Sequence, residues 1–545
     1  MKSRGRVARA LVSIALVGVA SAATAGVSMP EVKSTPSATG RDYLVFYADG
    51  ARDTTARAVT AAGGVVRSRD DRLGYLVVRA AAPEPLGEIS SVVGVTPDLP
   101  IGSVANAPLA GPPPRMSGGA NAVAGEPLSD RQWDMRMIGA TPTGSYATAR
   151  ASHQVLVGVI DTGIDGRHPD IAPNFNRQLS RNFVTDQPND VNGKKFDGAC
   201  EVAGCKDPAD VDDDGHGTHV ASTIGSPING IGIAGVAPDV SLVNLRAGTD
   251  SGYFFLKPTM DALAYAADVG VDVVNMSFYV DPWTFNCTAN PQDSRADQLA
   301  QRGILAGMRR AAAYAHQRGV TMITAIGNSG SDLGKPSKDA ASPDYPLGAE
   351  KERTVDNTCL NVPTELPGVI AVSSVGPSGL KAAYSDYGIE QTDIAAPGGD
   401  VFDSGTSVIG ERREILAAAP EAMLRAGHQI DAAGNPADAS VVRDCQGGSC
   451  SYYQYLEGTS MAAPHVTGIA ALIISRFGVP GKGGLAMDPN QVEKLLYASA
   501  TPTSCPTPRA FKYGTATQTC DGTKERNGFF GHGIANAARA ATVTP

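Results

Sequence analysis

The sequence predicts an α/β protein whose main part is a doubly wound, mostly parallel sheet, with a small α+β unit ahead of it. Three observations carry this reading. Continuous apolar runs, VLVGVI (155–160), VSLVNLRA (240–247), VDVVNMSF (271–278), VTMITAIG (320–327) and GVIAVSSV (368–375), suit strands buried on both faces of a parallel sheet. Helix-period segments such as 256–269 and 294–318 lie between them, as a doubly wound sheet requires. A separate stretch, 41–104, has its own strand and helix pattern, and a Pro-, Gly- and Ala-rich linker (105–126) joins it to the rest.

The chain begins with a targeting pattern. Lys2, Arg4, Arg6 and Arg9 precede the short apolar run 10–20, and Ala23-Thr24-Ala25 is a small-x-small cleavage signal. Residues 1–25 are therefore expected to be a signal peptide, and the mature protein to be secreted and free of the membrane. In 41–104, RDYLVFYADG reads as a strand, 51–63 as a helix, and VVRSRDDRLGYLVVRA as a hairpin turning at Asp70–Gly74. A short helix and a last strand follow, so the order β-α-β-β-α-β predicts a ferredoxin-like sandwich. Residues 127–545 form the α/β domain, with 186–214 and roughly 400–450 as polar insertions.

Bulk properties narrow the function. A chain of 545 residues is too long for one compact core and predicts two or three folding units. The net charge of −9 excludes a nucleic-acid footprint. The eight cysteines read as disulfides in an exported chain. Cys200/Cys205, Cys445/Cys450 and Cys505/Cys520 would close short loops, leaving Cys287 for Cys359, although eight cysteines allow on the order of a hundred connectivities.

Ligand sites in such sheets lie at the carboxyl ends of the strands. Asp161 directly follows VLVGVI. His216 precedes an apolar helical pattern in DDDGHGTHVASTIG, so it projects from a helix start. Ser460 lies in the first turn of a buried helix, GTSMAAPHVTGIAALIIS, whose N-terminus favours a developing anion. Pro464 is expected to be harmless there, among early N–H groups that lack partners anyway. His219 and His465 lie beside the motifs and read as structural.

D-T-G-I-D (161–165), G-H-G-T-H (215–219), G-N-S-G (327–330) and G-T-S-M-A-A-P-H (458–465), in this order, resemble the subtilisin family. The resemblance covers 127–545, and 26–104 is similar to that family's inhibitory propeptide. It implies a serine endopeptidase made as a self-processing zymogen and inhibited by its own propeptide. Asp161, His216 and Ser460 would be the triad, and Asn328 would donate to the oxyanion with the Ser460 N–H. Ser251-Gly252-Tyr253 and Ser277-Phe278-Tyr279 would flank a peptide substrate added as a strand, with Gly327 alongside. Where the family commonly has Gly, this chain has Tyr279.

A structural calcium site is also implied: Asp170, with Pro227, Asn229, Ile231 and Ile233 of the loop after the histidine helix, and Glu126 as an N-terminal match. No organic cofactor is expected, and the protein is expected to be a monomer acting on proteins and peptides. Asp210, Asp212, Asp214 and Gly215 mimic the start of an EF-hand loop, but Ala221 stands where its closing Glu would be. That run is expected to be a solvated acidic loop. Two rival classes remain: a non-catalytic binding protein on the same fold, which would normally have lost one of the four site residues, and an acyl transferase or cyclase sharing the acyl-enzyme.

Overall fold

The computed structural model describes residues 40–99, 126–513 and 516–545. The signal peptide and nearly all of the linker lie outside the described residues. So do the ends of the unit placed at 26–104.

Residues 41–97 form a four-stranded antiparallel sheet in the order Val65–Asp70, Tyr75–Ala80, Arg41–Tyr47, Val92–Pro97. Side chains alternate between the two faces of a strand. Tyr43, Val45, Leu76 and Val78 accordingly join the sandwich's own core, while Leu44, Phe46, Tyr75 and Val77 join that of the large domain. The seat is the helix Arg295–His316. A Cβ on Gly94 would lie 2.4 Å from the Gly303 nitrogen, so glycines let strand and helix backbones meet. Arg310 donates to the carbonyls of Tyr47, Leu73 and Gly74 at 2.7–3.2 Å.

The large domain is built on a seven-stranded sheet. Its order is Ile394–Pro397, Val369–Val375, Thr321–Ala325, Val273–Met276, Leu156–Ile160, Ser241–Arg246, Arg181–Asn182. Every neighbouring pair in it is parallel. The five strands read as continuous apolar runs are buried along almost their whole lengths, as strands covered on both faces must be. Helices Leu256–Val269 and Arg295–His316 pack with Val243, Val274 and Met322 in one core. Helices His216–Gly225 and Thr459–Phe477 pack with Val157, Val273 and Ile323 in the other.

One sequence expectation needs correction. The 400–450 region is not merely polar. Ile415–Ala418 and Val441–Gln446 flank Ser449–Leu456 in a three-stranded antiparallel sheet. Leu416, Ala417, Tyr453 and Tyr455 of that sheet belong to the main core. The 186–214 insertion is polar but anchored in the fold. Asp186 and Asp207 are buried against Arg246, itself fully buried on the sheet, which also pairs with Asp250. Four disulfides join Cys200–Cys205, Cys287–Cys359, Cys445–Cys450 and Cys505–Cys520, the pairing expected above. Among the described residues, no helix is long and apolar enough to cross a membrane.

Candidate active site

His216, Asn328 and Ser460 line one cleft of about 510 Å³ at the carboxyl ends of the central strands, and Asp161 lies buried behind His216. Asp161 follows strand Leu156–Ile160 and is fully buried. Its Oδ1 accepts from His216 Nδ1 at 2.7 Å and from the Thr162 N–H at 2.8 Å. This contact leaves Nε2 of His216 for the cleft. Burial opposes the charge on the imidazole, but the Asp161 carboxylate and its hydrogen bond outweigh that, with help from Asp214 and Asp212, and hold the His216 pKa up at about 9.

The acidic run ahead of His216 is not solvated, as the sequence reading had it. Asp212 is buried and fastens the histidine helix. Its Oδ1 accepts from Thr162 Oγ1 and the Gly215 N–H, and its Oδ2 from the Thr218 N–H and hydroxyl, all within 3.0 Å. Asp210 is buried between Arg167 and Arg177, and Asp214 accepts the His216 N–H at 3.0 Å. The Asp212 and Asp214 carboxylates satisfy donors that a helix start leaves open. Gly217 is needed because a Cβ there would lie 2.1 Å from the Gly163 carbonyl oxygen.

Ser460 is the second residue of helix Thr459–Phe477. Its hydroxyl donates to the Ser277 carbonyl at 3.2 Å. Pro464 lies beyond the first four N–H groups, so its missing donor does orphan a carbonyl, that of Ser460. The Ser277 hydroxyl makes up for it, donating to the Ser460 carbonyl at 3.1 Å. Pro464 is thus accommodated by a neighbouring strand end rather than by its early position.

Asn328 is oriented from behind. Its Oδ1 accepts from the N–H and hydroxyl of Thr459 at 2.9 and 2.8 Å, which turns Nδ2 toward the cleft. A Cβ built on Gly458 would lie 3.6 Å from the Ser460 nitrogen and 3.7 Å from Asn328 Nδ2, so both donors face the same small space. Asp386 holds the loop under them, accepting from the Ser329 and Ser331 N–H groups at 3.0 and 2.7 Å.

The two expected substrate edges border the cleft. Gly252 and Tyr253 line one side, and Ser277, Phe278 and Tyr279 the other, with Gly327 beside them. Ser251 adjoins the first edge, where its N–H donates to Asp197 at 3.1 Å. Phe254 and Phe278 stack across the gap at 4.3 Å. Tyr279 donates its hydroxyl to Asp344 at 2.6 Å.

Asp170 is buried beside the 227–233 loop, accepting from the Ile233 N–H at 3.0 Å and the Tyr453 hydroxyl at 3.1 Å. Ile233 therefore meets it through its N–H, and Asn229 Oδ1 accepts from the Ile231 N–H at 2.9 Å. The N–H groups of Asn229, Gly230 and Ile231 face Glu126 and the Asn229 side chain faces Asp170, yet neither Asp170 Oδ1 nor either Glu126 oxygen takes a well-formed hydrogen bond. Burial drives both carboxyls up, Asp170 well above its usual range and Glu126 to about 7. Buried acidic oxygens in that state fit a hard cation. Separately, Glu201, Asp207, Asp213 and Asp250 each bring an oxygen within 4.8 Å of the others.

Sequence reading named Asp212 only as part of a solvated run and missed Thr459, Asp386 and Asp134, whose Oδ2 lies 3.0 Å from Nε2 of the buried His465. His465 and His219 are structural, as expected. His219 Nε2 lies 3.0 and 3.1 Å from the carbonyls of Ile415 and Gln454, and burial drives its pKa down to about 3.

Comparison with known proteins agrees with this geometry. The Subtilase family (peptidase S8) model matches residues 152–533. Subtilisin DY of Bacillus licheniformis is 27% identical over 347 residues, 64% of this chain and 84% of its own. Fervidolysin of Fervidobacterium pennivorans is 27% identical over 393 residues, 70% of this chain but only 42% of its own length. The crystal structure of the epidermin leader peptide processing serine protease EpiP from Staphylococcus aureus superposes with a TM-score of 0.59 at 21% identity, covering 92% of this chain and 98% of that one. A family model spanning most of the chain, on a matching fold, places this protein in the subtilase family of serine peptidases.

Proposed function

We propose that this chain is a secreted serine endopeptidase made as a self-inhibited precursor. The observation that carries the reading is the convergence of His216, Ser460 and Asn328 on one cleft, with the buried Asp161 bonded to His216 at 2.7 Å. Serine is a weak nucleophile until a base removes its proton. The Ser460 hydroxyl would exchange the Ser277 carbonyl for His216 Nε2 and attack the scissile carbonyl carbon. Asp161 fixes the imidazole tautomer and stabilises the imidazolium. Asn328 Nδ2 and the Ser460 N–H would hold the oxyanion at a helix N-terminus. His216 then protonates the leaving amine, and water repeats the sequence on the acyl-enzyme.

The sandwich acts as inhibitor in this reading. It is seated on helix Arg295–His316, and its last described residue, Leu99, packs against Phe196, Phe255 and Tyr345 beside Tyr253 on the cleft's edge. Export through the 1–25 signal precedes release of this unit. Asp170, Asn229 and Glu126 would hold a calcium ion whose part is to brace the loop after the histidine helix. The test is digestion of a denatured protein by wild type and Ser460→Ala. Fragments from the first and none from the second are expected. Equal digestion would reject the reading.

A further inference from the structure

The cleft beyond the oxyanion loop has an acidic floor. Beside His216 and Ser460, Asp214, Asp281, Asp344 and Asp386 line it, and among the described lining residues there is no Lys or Arg. Asp386 and Asp214 already bind loop and helix N–H groups. Asp281 and Asp344 do something else. Asp281 follows the Ser277–Tyr279 edge and is 5% exposed, with its Oδ2 accepting the Phe254 N–H. Asp344 comes from a different segment and is half-buried, with its Oδ2 accepting the Tyr279 hydroxyl.

The two carboxyls face each other closely enough to interact, Asp344 raising Asp281 and Asp281 lowering Asp344. Burial raises both, Asp281 well above its usual range, while the bonds from Asp281 and Tyr279 pull Asp344 back toward ionisation. Asp344, half-buried and with its Oδ1 lacking a hydrogen-bond donor, is the member of the pair whose charge a substrate cation can complete. An apolar substrate side chain placed here would strip that charge of water and return nothing. A lysine or arginine would lay its apolar stem along Phe278 and Ile326 and bring a charged donor to the carboxylate.

We propose that this pocket receives a lysine or arginine side chain from the residue just before the scissile bond, with Asp344 as the residue that sets the preference. The proposal rests on the peptidase reading above and deepens it. It has a consequence within the chain itself. Between Leu99, beside the cleft, and Glu126, the sequence contains one basic residue, Arg115, in GPPPRM. The bond for self-processing is therefore Arg115–Met116.

The test uses one peptide with arginine, lysine, citrulline, leucine or phenylalanine before the scissile bond. Citrulline keeps the shape of arginine without its charge. Wild type should cut the arginine and lysine peptides about a hundredfold faster, in kcat/KM, than the citrulline and leucine ones, the size expected for a desolvated charge pair. Asp344→Asn should shrink the arginine-to-citrulline ratio at least tenfold, and this ratio does not depend on how much enzyme folds. Leucine or phenylalanine peptides cut as fast as arginine would overturn the proposal while leaving the peptidase reading intact. Failure to cut any peptide would instead overturn that reading. Full-length protein synthesised free of other proteases should mature to an N-terminus at Met116, and Arg115→Gln should block that cut. A wild-type N-terminus created after an uncharged residue would contradict the proposal.

Discussion

Asp212→Asn is a one-atom change that should loosen the histidine helix. The Asp212 carboxylate accepts from two backbone N–H groups, Gly215 on Oδ1 and Thr218 on Oδ2, and from the hydroxyls of Thr162 and Thr218. The hydroxyls can rotate, but the backbone donors cannot. An asparagine has one carbonyl oxygen, so either flip leaves one N–H, that of Thr218 or of Gly215, facing an NH2 group. A buried unpaired donor costs about 1–3 kcal/mol, and three charge-assisted bonds become neutral ones at a further cost of about 1 kcal/mol. The expected destabilisation is therefore about 2–4 kcal/mol. Denaturant unfolding in a Ser460→Ala background measures it without self-digestion. In the active background, kcat should fall more than KM rises, because Gly215 and Thr218 flank His216. An unchanged unfolding midpoint and unchanged kcat would refute the claim that Asp212 fixes the catalytic helix.

Asn328→Ala should fold normally and lose about a hundred- to thousandfold in kcat, a scale that subtilisin itself sets; full activity would mean another donor fills the hole. The pH profile follows from His216, which must be deprotonated to act as base. Its pKa is raised to about 9, so kcat/KM should climb from neutral pH with a midpoint near that value, and Asp161→Asn should move the limb to lower pH. The same raised pKa contributes stability that is present below the unfolded value of about 6.5 and lost as pH rises through about 9. A limb centred below pH 6.5 would contradict the cause assigned to the shift. Chelation should shorten the thermal half-life and added calcium restore it, by about 2.7 kcal/mol at a hundredfold excess over the dissociation constant. Identical half-lives would remove the ion from the account.

The parts of this protein that announce themselves in sequence are those where local chemistry forces a local pattern. Strands buried on both faces must be apolar throughout, so the sheet was legible from its runs. The proposed triad stands out in sequence because each member lies at an element end among small residues that let backbones approach, as Gly217 does against Gly163. What stayed hidden depends on distant partners. Asp212 is an acidic residue in an acidic stretch until Thr162, fifty positions earlier, is brought beside it. Asp134 pairs with His465 across 331 positions. The buried face of Ile415–Ala418 has its reason in helix His216–Gly225, where the Ser222 hydroxyl oxygen accepts from the Ala418 N–H at 2.8 Å.

The central claim is that Ser460 is a nucleophile activated by His216. A fluorophosphonate, which phosphonylates activated serine hydroxyls, tests it directly with mass spectrometry of the digested protein. One phosphonyl group should appear on the peptide that contains Ser460, and His216→Ala should nearly abolish it. Labelling elsewhere with Ser460 unmodified, or equal labelling in the His216→Ala protein, would contradict the account.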